Sequence, residues 1–418
     1  MCYLGYLPDF YVYLPDMKQG KVRIAAVGLG NRTCKYLHYV AEHQDVAEVA
    51  AAVDPDPLRM ERVRKAFSLP DERCFSSFDD LLSSSLDIDA CIIGTPDTSH
   101  YEFTVKSLQK GWHVLLEKPM GQTEEECRGI VRKSEETGKM VSVCYVLRYH
   151  PYFIKFKQLS EDPKMGRILS IRHVERVGID RTAHTFARGP WNMKEMNTSV
   201  FFTKCCHDLD FVLWLASSEV KSVETSIGPK IFTEDQAPEG SAPRCLDCSI
   251  EQNCPYSAVD LYLRRKDWIK NFVYLAGESQ DEMLMRMLKE SRYGRCVYRC
   301  SDNDVVDYQT VALDFSNGIK AEVKMECITH EKDRMTVVEC ENAIISGDES
   351  SIVVKYRDSL LRQEEYDFRW TRSKSFHAGA DLLIVEEFID SIRFGHLQSR
   401  TPAVTSLPSH LACFLAER

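Results

Sequence analysis

The sequence predicts an α/β protein. Its N-terminal part is expected to form a doubly wound parallel sheet, and its C-terminal part an α+β domain on an open, largely antiparallel sheet. In the first part, short strands that are apolar on both faces alternate with amphipathic helices, which is typical of a parallel sheet covered on both sides. After residue 150 the strands lengthen and alternate between apolar and polar residues, as in an antiparallel sheet with one less buried face.

Composition and length set the domain plan. The chain has 418 residues, 44% of them hydrophobic and 28% charged, which indicates two globular domains. We expect an N-terminal extension at 1–20, a doubly wound domain at 21–146 and an α+β domain at 147–418. The net charge of -10 and the absence of a basic run argue against nucleic-acid binding.

The chain also contains no apolar run near the roughly 20 residues that span a bilayer, so no membrane association is expected. Its 16 cysteines mostly lie inside apolar runs. Buried free thiols are typical of a reducing compartment, so we predict a cytoplasmic location.

The elements follow in order. In the first domain we predict strands at 22–28, 47–53, 87–94, 114–116 and 140–145, with helices at 31–43, 57–67, 98–110 and 123–138 between them. In the second domain we predict strands within 168–178, 305–315, 319–328 and 332–340, and helices at 197–216, 381–394 and 404–417.

The turn after the first strand, "VGLGNRT" at 27–33, has the character of a dinucleotide-binding loop. Gly28 permits a tight turn, and Gly30 allows a pyrophosphate to approach the backbone. The helix that follows directs its free N–H groups and its dipole at that phosphate. The third glycine of the usual fingerprint is replaced by Thr33. The prediction of a dinucleotide site therefore depends also on the strands and the helix around the motif.

The second strand ends at Asp54, 24 residues after Gly30. An acid here accepts hydrogen bonds from the adenosine ribose hydroxyls. It also repels a 2′-phosphate, by about 4 kcal/mol for two charges 4 Å apart at an effective dielectric of 20. We therefore favour NAD over NADP, although Arg32 or Arg59 would weaken the preference.

A lysine follows the strand in "GWHVLLEKPM" at 111–120. Ligands of doubly wound sheets bind beyond the carboxyl ends of the strands, and Lys118 lies at such an end. "GTPDTSH" at 94–100 follows another strand at the same edge. This placement predicts that Lys118 acts near the nicotinamide, and the alternative is a surface lysine after a strand.

These segments together resemble the Gfo/Idh/MocA oxidoreductases, the family of glucose–fructose oxidoreductase and inositol dehydrogenase. The resemblance rests on "VGLGNRT", "AAVDPDP", "GTPDTSH" and "GWHVLLEKPM" in that order, and continues in "YVLRYHP", "CCHDLDF" and "HAGAD". It implies a Rossmann domain, a second domain with an open antiparallel sheet, and NAD(P)-dependent chemistry on a sugar or polyol. It also implies a homo-oligomer, a dimer or a tetramer.

The resemblance assigns roles by position. Lys118 and His207 match the catalytic lysine and histidine of the family. The predicted cofactor contacts are Gly28, Gly30, Asn31, Arg32, Asp54, Thr95, Pro96, His100, Glu117 and Lys118. Many members carry an aspartate four residues before the histidine, where this chain has Thr203.

The chemistry follows from these residue types. Oxidising a secondary alcohol sends a hydride to the nicotinamide and a proton to a base, and a histidine suits that transfer at neutral pH. Lys118 supplies positive charge where alkoxide character develops. Asp208 or Asp210 is a candidate to orient the imidazole of His207. The predicted substrate-binding residues are Arg148, His184, Arg188, Trp191, Lys204 and His377, several of them in an expected loop at 183–191.

A cysteine cluster stands apart from this site. Cys245, Cys248 and Cys254 lie within ten residues of one another, which suggests structural zinc with Cys296 or Cys300 as the fourth ligand. The alternative is three reduced thiols in a loop.

Three functions are compatible with the sequence as a whole. The leading one is NAD-dependent oxidation of a sugar, sugar derivative or polyol at a secondary alcohol. The alternative is redox-neutral: hydrolysis or elimination of a glycoside through a transient keto-sugar, with the hydride returned. The third is a non-catalytic NAD-binding sensor, against which the presence of both Lys118 and His207 argues.

Overall fold

The structure is a computed structural model that describes residues 20–189, 191–192, 198–268, 278–300, 306–372 and 375–418. The predicted extension at 1–20 therefore lies almost entirely outside the described residues. The division at residue 146 stays a prediction.

The N-terminal part of the chain forms a six-stranded parallel sheet in the order β3-β2-β1-β4-β5-β6. This order confirms the predicted doubly wound fold. The strands are β1 Val22–Val27, β2 Ala47–Val53, β3 Cys74–Phe75, β4 Ala90–Ile93, β5 His113–Leu116 and β6 Val141–Val143. Strand β3 was not predicted, because two residues carry no readable pattern. Val27, Ile93 and Leu116 are in register, so β1, β4 and β5 end at one edge.

Five helices follow these strands: α1 Asn31–Glu42, α2 Pro57–Phe67, α3 Phe78–Ser83, α4 His100–Gln109 and α5 Glu124–Thr137. Local sequence fixes their starts. The carboxylate of Asp56 accepts from the first N–H groups of α2, and Pro57 occupies its first position. Thr123 and Glu126 form a capping box at α5.

The C-terminal part carries an eight-stranded sheet in the order β14-β13-β12-β11-β7-β10-β9-β8. Of its pairings in the described residues, only that of β7 with β10 is parallel, which confirms the largely antiparallel sheet. The strands are β7 Ile168–Arg176, β8 Val220–Ile227, β9 Tyr308–Phe315, β10 Lys320–Glu326, β11 Arg334–Cys340, β12 Ala343–Gly347, β13 Ser351–Tyr356 and β14 Gln363–Asp367.

Several helices of this part pack on its sheet, and some pack on the first domain. They are α6 Pro151–Glu161, α7 Ile179–Arg181, α8 Val200–Ala216, α9 Gln280–Glu290, α10 Arg369–Arg372, α11 Ser375–Ala378, α12 Ala380–Phe394 and α13 Ala403–Ala416. Helix α8 packs on β7 and β10, and α12 packs against α1, β1 and β5. The apolar side of α12 shares one core with the first sheet.

A lobe is inserted between β8 and β9, and the part of it that the structure describes contains no strand. Its described residues form α9 and several single helical turns around a separate apolar cluster that includes Tyr262, Leu284 and Leu288. The segment predicted as a loop at 183–191 begins as a π-helical turn over Thr182–Ala187. Helix α9 was not predicted.

Candidate active site

The glycine loop after β1 has the shape that a dinucleotide needs. Gly28 has a φ of 77°, and a Cβ there would lie 2.7 Å from Cγ2 of Thr95. The chain therefore requires glycine on steric and conformational grounds. A Cβ at Gly30 would meet nothing within 4 Å, so open space faces this residue. Gly30 also caps α1 without any side-chain hydrogen bond, which leaves the first N–H groups of the helix available to an anion.

Asp54 lies beside this loop and holds it. The side chain is buried, and its two oxygens accept hydrogen bonds from the backbone N–H groups of Leu29 at 2.6 Å and Asp56 at 2.8 Å. Nη1 of Arg59 lies 3.9 Å from the same carboxylate. A negative charge thus stands at the end of β2, partly offset by one exposed arginine.

The loop after β4 is joined to the loop after β5 by His100. Its Nδ1 lies 2.7 Å from the carbonyl oxygen of Pro119, and its Nε2 lies 3.0 Å from that of Thr95. A neutral imidazole can donate to only one of two carbonyls, and an imidazolium to both. Pro96 precedes the short turn that leads to His100. His100 therefore links the two cofactor-facing loops.

Glu117, at the end of β5, is buried and bound by a cation. Nε of Arg32 donates to it at 2.7 Å, and the hydroxyl of Tyr36 also donates. Burial opposes ionisation, but the charges of Arg32 and Lys118 outweigh it and hold the pKa of Glu117 below its usual range. Arg32 also binds Asp381 at 2.7 Å. The guanidinium predicted to contact the cofactor is thus placed between two carboxylates.

Lys118 extends from the edge of the first sheet to the second domain. Its Nζ donates a 2.6 Å hydrogen bond to the carbonyl oxygen of Thr203 on α8. The side chain is half-buried, and the Lys118–Pro119 peptide bond is cis. One turn further along α8 lies His207, because residues four apart share a helix face. The two residues predicted to be catalytic are therefore near each other, and the charge of Lys118 acts on His207.

The imidazole of His207 is kept neutral. Burial lowers its pKa well below the usual 6.5, and the positive charges of Lys118 and Arg334 lower it further. Its Nδ1 is buried without a hydrogen-bond partner among the described residues. The ring packs edge-on against Tyr145, with centroids 5.4 Å apart. A neutral imidazole at pH 7 is competent to accept a proton.

The two aspartates proposed to orient His207 bind other groups. Asp208 accepts from Nε2 of His173 at 2.9 Å and from Nε of Arg334 at 2.6 Å. Asp210 forms a bidentate ion pair with Arg148 at 2.8 and 2.7 Å. The expectation that either aspartate orients the imidazole gains no support from these bonds.

The residues predicted to bind substrate lie in different parts of the structure. Lys204 is half-buried and pairs with Glu175 at 2.6 Å, and desolvation lowers its pKa. His377 is exposed and pairs with Asp381 at 2.9 Å. Arg148 is held by Asp210, as described above.

The remaining three lie against the main core or against the inserted lobe. Trp191 is half-buried against the main core. His184 is buried, with Nδ1 2.7 Å from the hydroxyl of Tyr262. Arg188 is fully buried beside Cys245. The structure thus places His184 and Arg188 against the lobe.

The zinc predicted for the cysteine cluster is not shown. Within the part of the chain that the structure describes, no three histidine, cysteine, aspartate or glutamate side chains form a group that could hold a metal ion as they stand. The predicted cysteines nevertheless lie together at one cavity.

Residues 22–145 match the model of a family described as an oxidoreductase family with an NAD-binding Rossmann fold. Over these residues the chain matches the Gfo/Idh/MocA oxidoreductase family. This confirms the predicted family and the predicted class of enzyme, a nicotinamide-dependent oxidoreductase. None of the described helices is long and apolar enough to cross a membrane.

Similar proteins extend the match beyond the first domain. YteT of Bacillus subtilis, named as an oxidoreductase, is 23% identical over 357 residues that cover 81% of each chain. Inositol 2-dehydrogenase of Arthrobacter sp. is 26% identical over 208 residues, which cover 50% of this chain and 58% of that protein. The chain thus matches little more than half of that relative.

Solved structures share the whole fold. A levoglucosan dehydrogenase in complex with NADH and levoglucosan aligns with a TM-score of 0.70 at 14% identity, covering 95% of this chain and 96% of that one. The WlbA dehydrogenase from Chromobacterium violaceum, in complex with NADH and UDP-GlcNAcA, aligns with a TM-score of 0.65 at 17% identity over 97% and 96%.

Proposed function

We propose that this protein transfers a hydride between a secondary alcohol of a sugar, sugar derivative or polyol and NAD. The observation that carries the proposal is the meeting of Lys118 and His207 at the carboxyl edge of the parallel sheet. Lys118 approaches α8 within one turn of His207, and the dinucleotide loop opens at the same edge. One base and one fixed cation beside a nucleotide-binding loop are the groups that alcohol oxidation needs.

His207 and Lys118 have different roles in this reaction. His207 is neutral, so it accepts the hydroxyl proton as the alcohol is oxidised. Lys118 places a positive charge beside the oxygen, where negative charge grows in the transition state. NAD, when bound, supplies the hydride acceptor. In the reverse direction His207 returns the proton and Lys118 polarises the carbonyl.

The preference for NAD rests on Asp54. Its carboxylate is fixed by Leu29 and Asp56, so it cannot swing away from a nucleotide ribose without breaking the loop's hydrogen bonds. A 2′-phosphate at that position would meet a fixed negative charge. Arg59 offsets only part of it, since its side chain is exposed and 3.9 Å away.

The proposed substrate class rests on the molecules named for the similar proteins. Inositol, levoglucosan and a nucleotide-linked sugar acid are the molecules named with the relatives above, and all carry several hydroxyl groups. Those relatives are dehydrogenases, so the redox-neutral alternative gains no support from them. A cytoplasmic location and a homo-oligomer stay predictions.

The test is a panel of polyols, aldoses, uronates and nucleotide sugars offered with NAD. The absorbance of reduced nicotinamide reports turnover, and Lys118→Met serves as the impaired control. We expect at least one polyhydroxylated substrate to be oxidised by wild type about a hundredfold or more faster than by the variant. Glycoside cleavage without net NAD reduction, by protein that carries bound NAD, would overturn the proposal in favour of redox-neutral chemistry.

A further inference from the structure

Four thiols surround one cavity in the inserted lobe. Cys245, Cys248, Cys254 and Cys296 all line it. An antiparallel bridge between Arg244 and Arg295 joins the two chain segments involved, and the N–H of Cys296 donates to the carbonyl of Pro243 at 2.9 Å. Cys254 and Cys296, which are 42 positions apart in the sequence, therefore line the same cavity.

Cys300 is not among the residues that line this cavity. It is buried, and its Sγ donates to the carbonyl oxygen of Cys296 at 3.2 Å. The choice between Cys296 and Cys300 as the fourth thiol therefore falls on Cys296.

A buried positive charge faces the same cavity. Arg188 has a relative exposure of 1%. Its Nε donates to the carbonyl oxygen of Arg295 at 2.6 Å, and its Nη2 donates to that of Tyr256 and lies 3.6 Å from Sγ of Cys245. Its Nη1 is buried and has no hydrogen-bond partner among the described residues.

The nearby acid does not balance this charge. Glu251 lines the cavity, but its carboxylate accepts from Ser257 and forms an ion pair with Arg264. A buried guanidinium that has no unengaged carboxylate beside it among the described residues is costly, so the site requires negative charge from another source. Four neutral thiols supply none, whereas thiolates bound to a divalent cation supply a net charge of about -2.

We propose that Cys245, Cys248, Cys254 and Cys296 bind a structural zinc ion as four thiolates, with Arg188 as its buried counter-charge. The Cys-x₂-Cys pair and the all-sulfur donor set are typical of structural zinc sites. Binding releases the four thiol protons.

The cysteines lie at the ends of single helical turns, Cys245–Asp247, Glu251–Asn253 and Val297–Arg299. Zinc draws the sulfurs closer together than they now stand, through movement of these short turns. The centre then fastens the lobe to the π-helical segment that carries Arg188. Its role is independent of the hydride transfer proposed above.

The first test is metal analysis of the full chain, purified without added zinc or chelator. We expect about one zinc per chain, retained in Cys300→Ser and lost in Cys248→Ser. Zinc well below one equivalent in wild type would overturn the site, and iron with acid-labile sulfide in its place would overturn zinc. Equal zinc in Cys248→Ser would exclude that cysteine set.

A second measurement does not use cysteine variants, so folding defects in those variants do not affect it. Titrating native wild type with an organomercurial should release zinc in proportion to about four modified thiols. Arg188→Met keeps the bulk of the side chain but removes the charge, and should lose zinc to a chelator at least about tenfold faster than wild type. Zinc release that precedes thiol modification, or an unchanged rate in Arg188→Met, would contradict the assignment.

Discussion

The ammonium group of Lys118 donates a 2.6 Å hydrogen bond to the main-chain carbonyl oxygen of Thr203. This bond joins the end of β5, in the parallel sheet, to the helix of the second domain that carries His207. The distance between the two predicted catalytic groups is therefore set by a backbone atom, which a substitution of the Thr203 side chain does not remove.

Lys118→Met should lower kcat by about a hundredfold or more, the scale of a lost electrostatic donor, because the charge matters most in the transition state. NAD affinity should change little, since the glycine loop and Asp54 are the groups proposed to hold the nucleotide. Steady-state kinetics and NAD titration check both. Lys164→Met, at an exposed lysine, is the matched control and should behave as wild type. Loss of NAD binding equal to the loss of rate would assign Lys118 to the cofactor alone.

His207→Ala should lower kcat by about 10²–10⁴-fold, because it removes the proton acceptor. In wild type the acidic limb of the pH–rate profile should lie below pH 6.5, since burial and Lys118 lower the pKa of His207. The variant should lack that limb. Combined with Lys118→Met, the losses should be less than additive, because both residues act on one proton transfer. A variant that keeps both the rate and the limb would place the base elsewhere.

Thr203→Asp introduces an acid at the position where many family members have one. The carboxylate, four residues before His207 on one helix face, favours the protonated imidazole and raises its pKa. The acidic limb should therefore move to higher pH than in wild type, which a pH series of kcat/KM measures. Thr203→Asn has a similar shape without charge and should leave the limb in place. An unmoved limb in Thr203→Asp would show that position 203 does not act on the base.

The sequence predicted the fold where the residue pattern is local. Strands buried on both faces, such as Ala90–Ile93, are continuous apolar runs, and α2 and α5 begin at side chains that cap them. The two-residue β3 and helix α9 lack such signals. The second-sheet strand Gln363–Asp367 is mostly charged and exposed, so its pattern resembles a loop.

The site was predictable as far as its residues lie at strand ends. Lys118 and Asp54 follow from the rule that ligands bind beyond the carboxyl edge of a parallel sheet. The partners of Arg32 do not follow, because Glu117 and Asp381 are 85 and 349 residues away in sequence. Nor does a sequence show whether a polar residue such as Arg188 faces a cleft or an internal cavity.

Replacing Asp54 should change the choice of cofactor. Asp54→Ser with Pro55→Arg removes the negative charge and adds a positive one, so the ratio of NADP to NAD affinity should rise at least about tenfold. Binding titrations with both nucleotides measure it. Asp54→Asn removes the charge of the side chain but keeps its shape. Asp71→Asn, at an exposed acid, is the control. Tighter binding of NADP than NAD by wild type would contradict the electrostatic argument.

The last prediction concerns His410, which supports the chain next to Lys118. This buried imidazole accepts from the N–H of Met120 at 2.9 Å and lies 3.0 Å from the hydroxyl of Tyr145. Burial lowers its pKa to about 4. Since the unfolded chain binds a proton near pH 6.5, unfolding takes up protons between these values, and stability falls as the pH falls.

The loss attributable to His410 should reach roughly 3 kcal/mol between pH 7 and pH 4. His150 and His184 have pKa values lowered to about 4 as well, so the whole chain loses more than this. His410→Gln cannot titrate but still offers an acceptor to Met120 and a donor to Ser406. Its free energy of unfolding, measured with urea at several pH values, should therefore decline less steeply than that of wild type. Parallel curves for the two proteins would show that His410 is protonated equally in the folded and unfolded states.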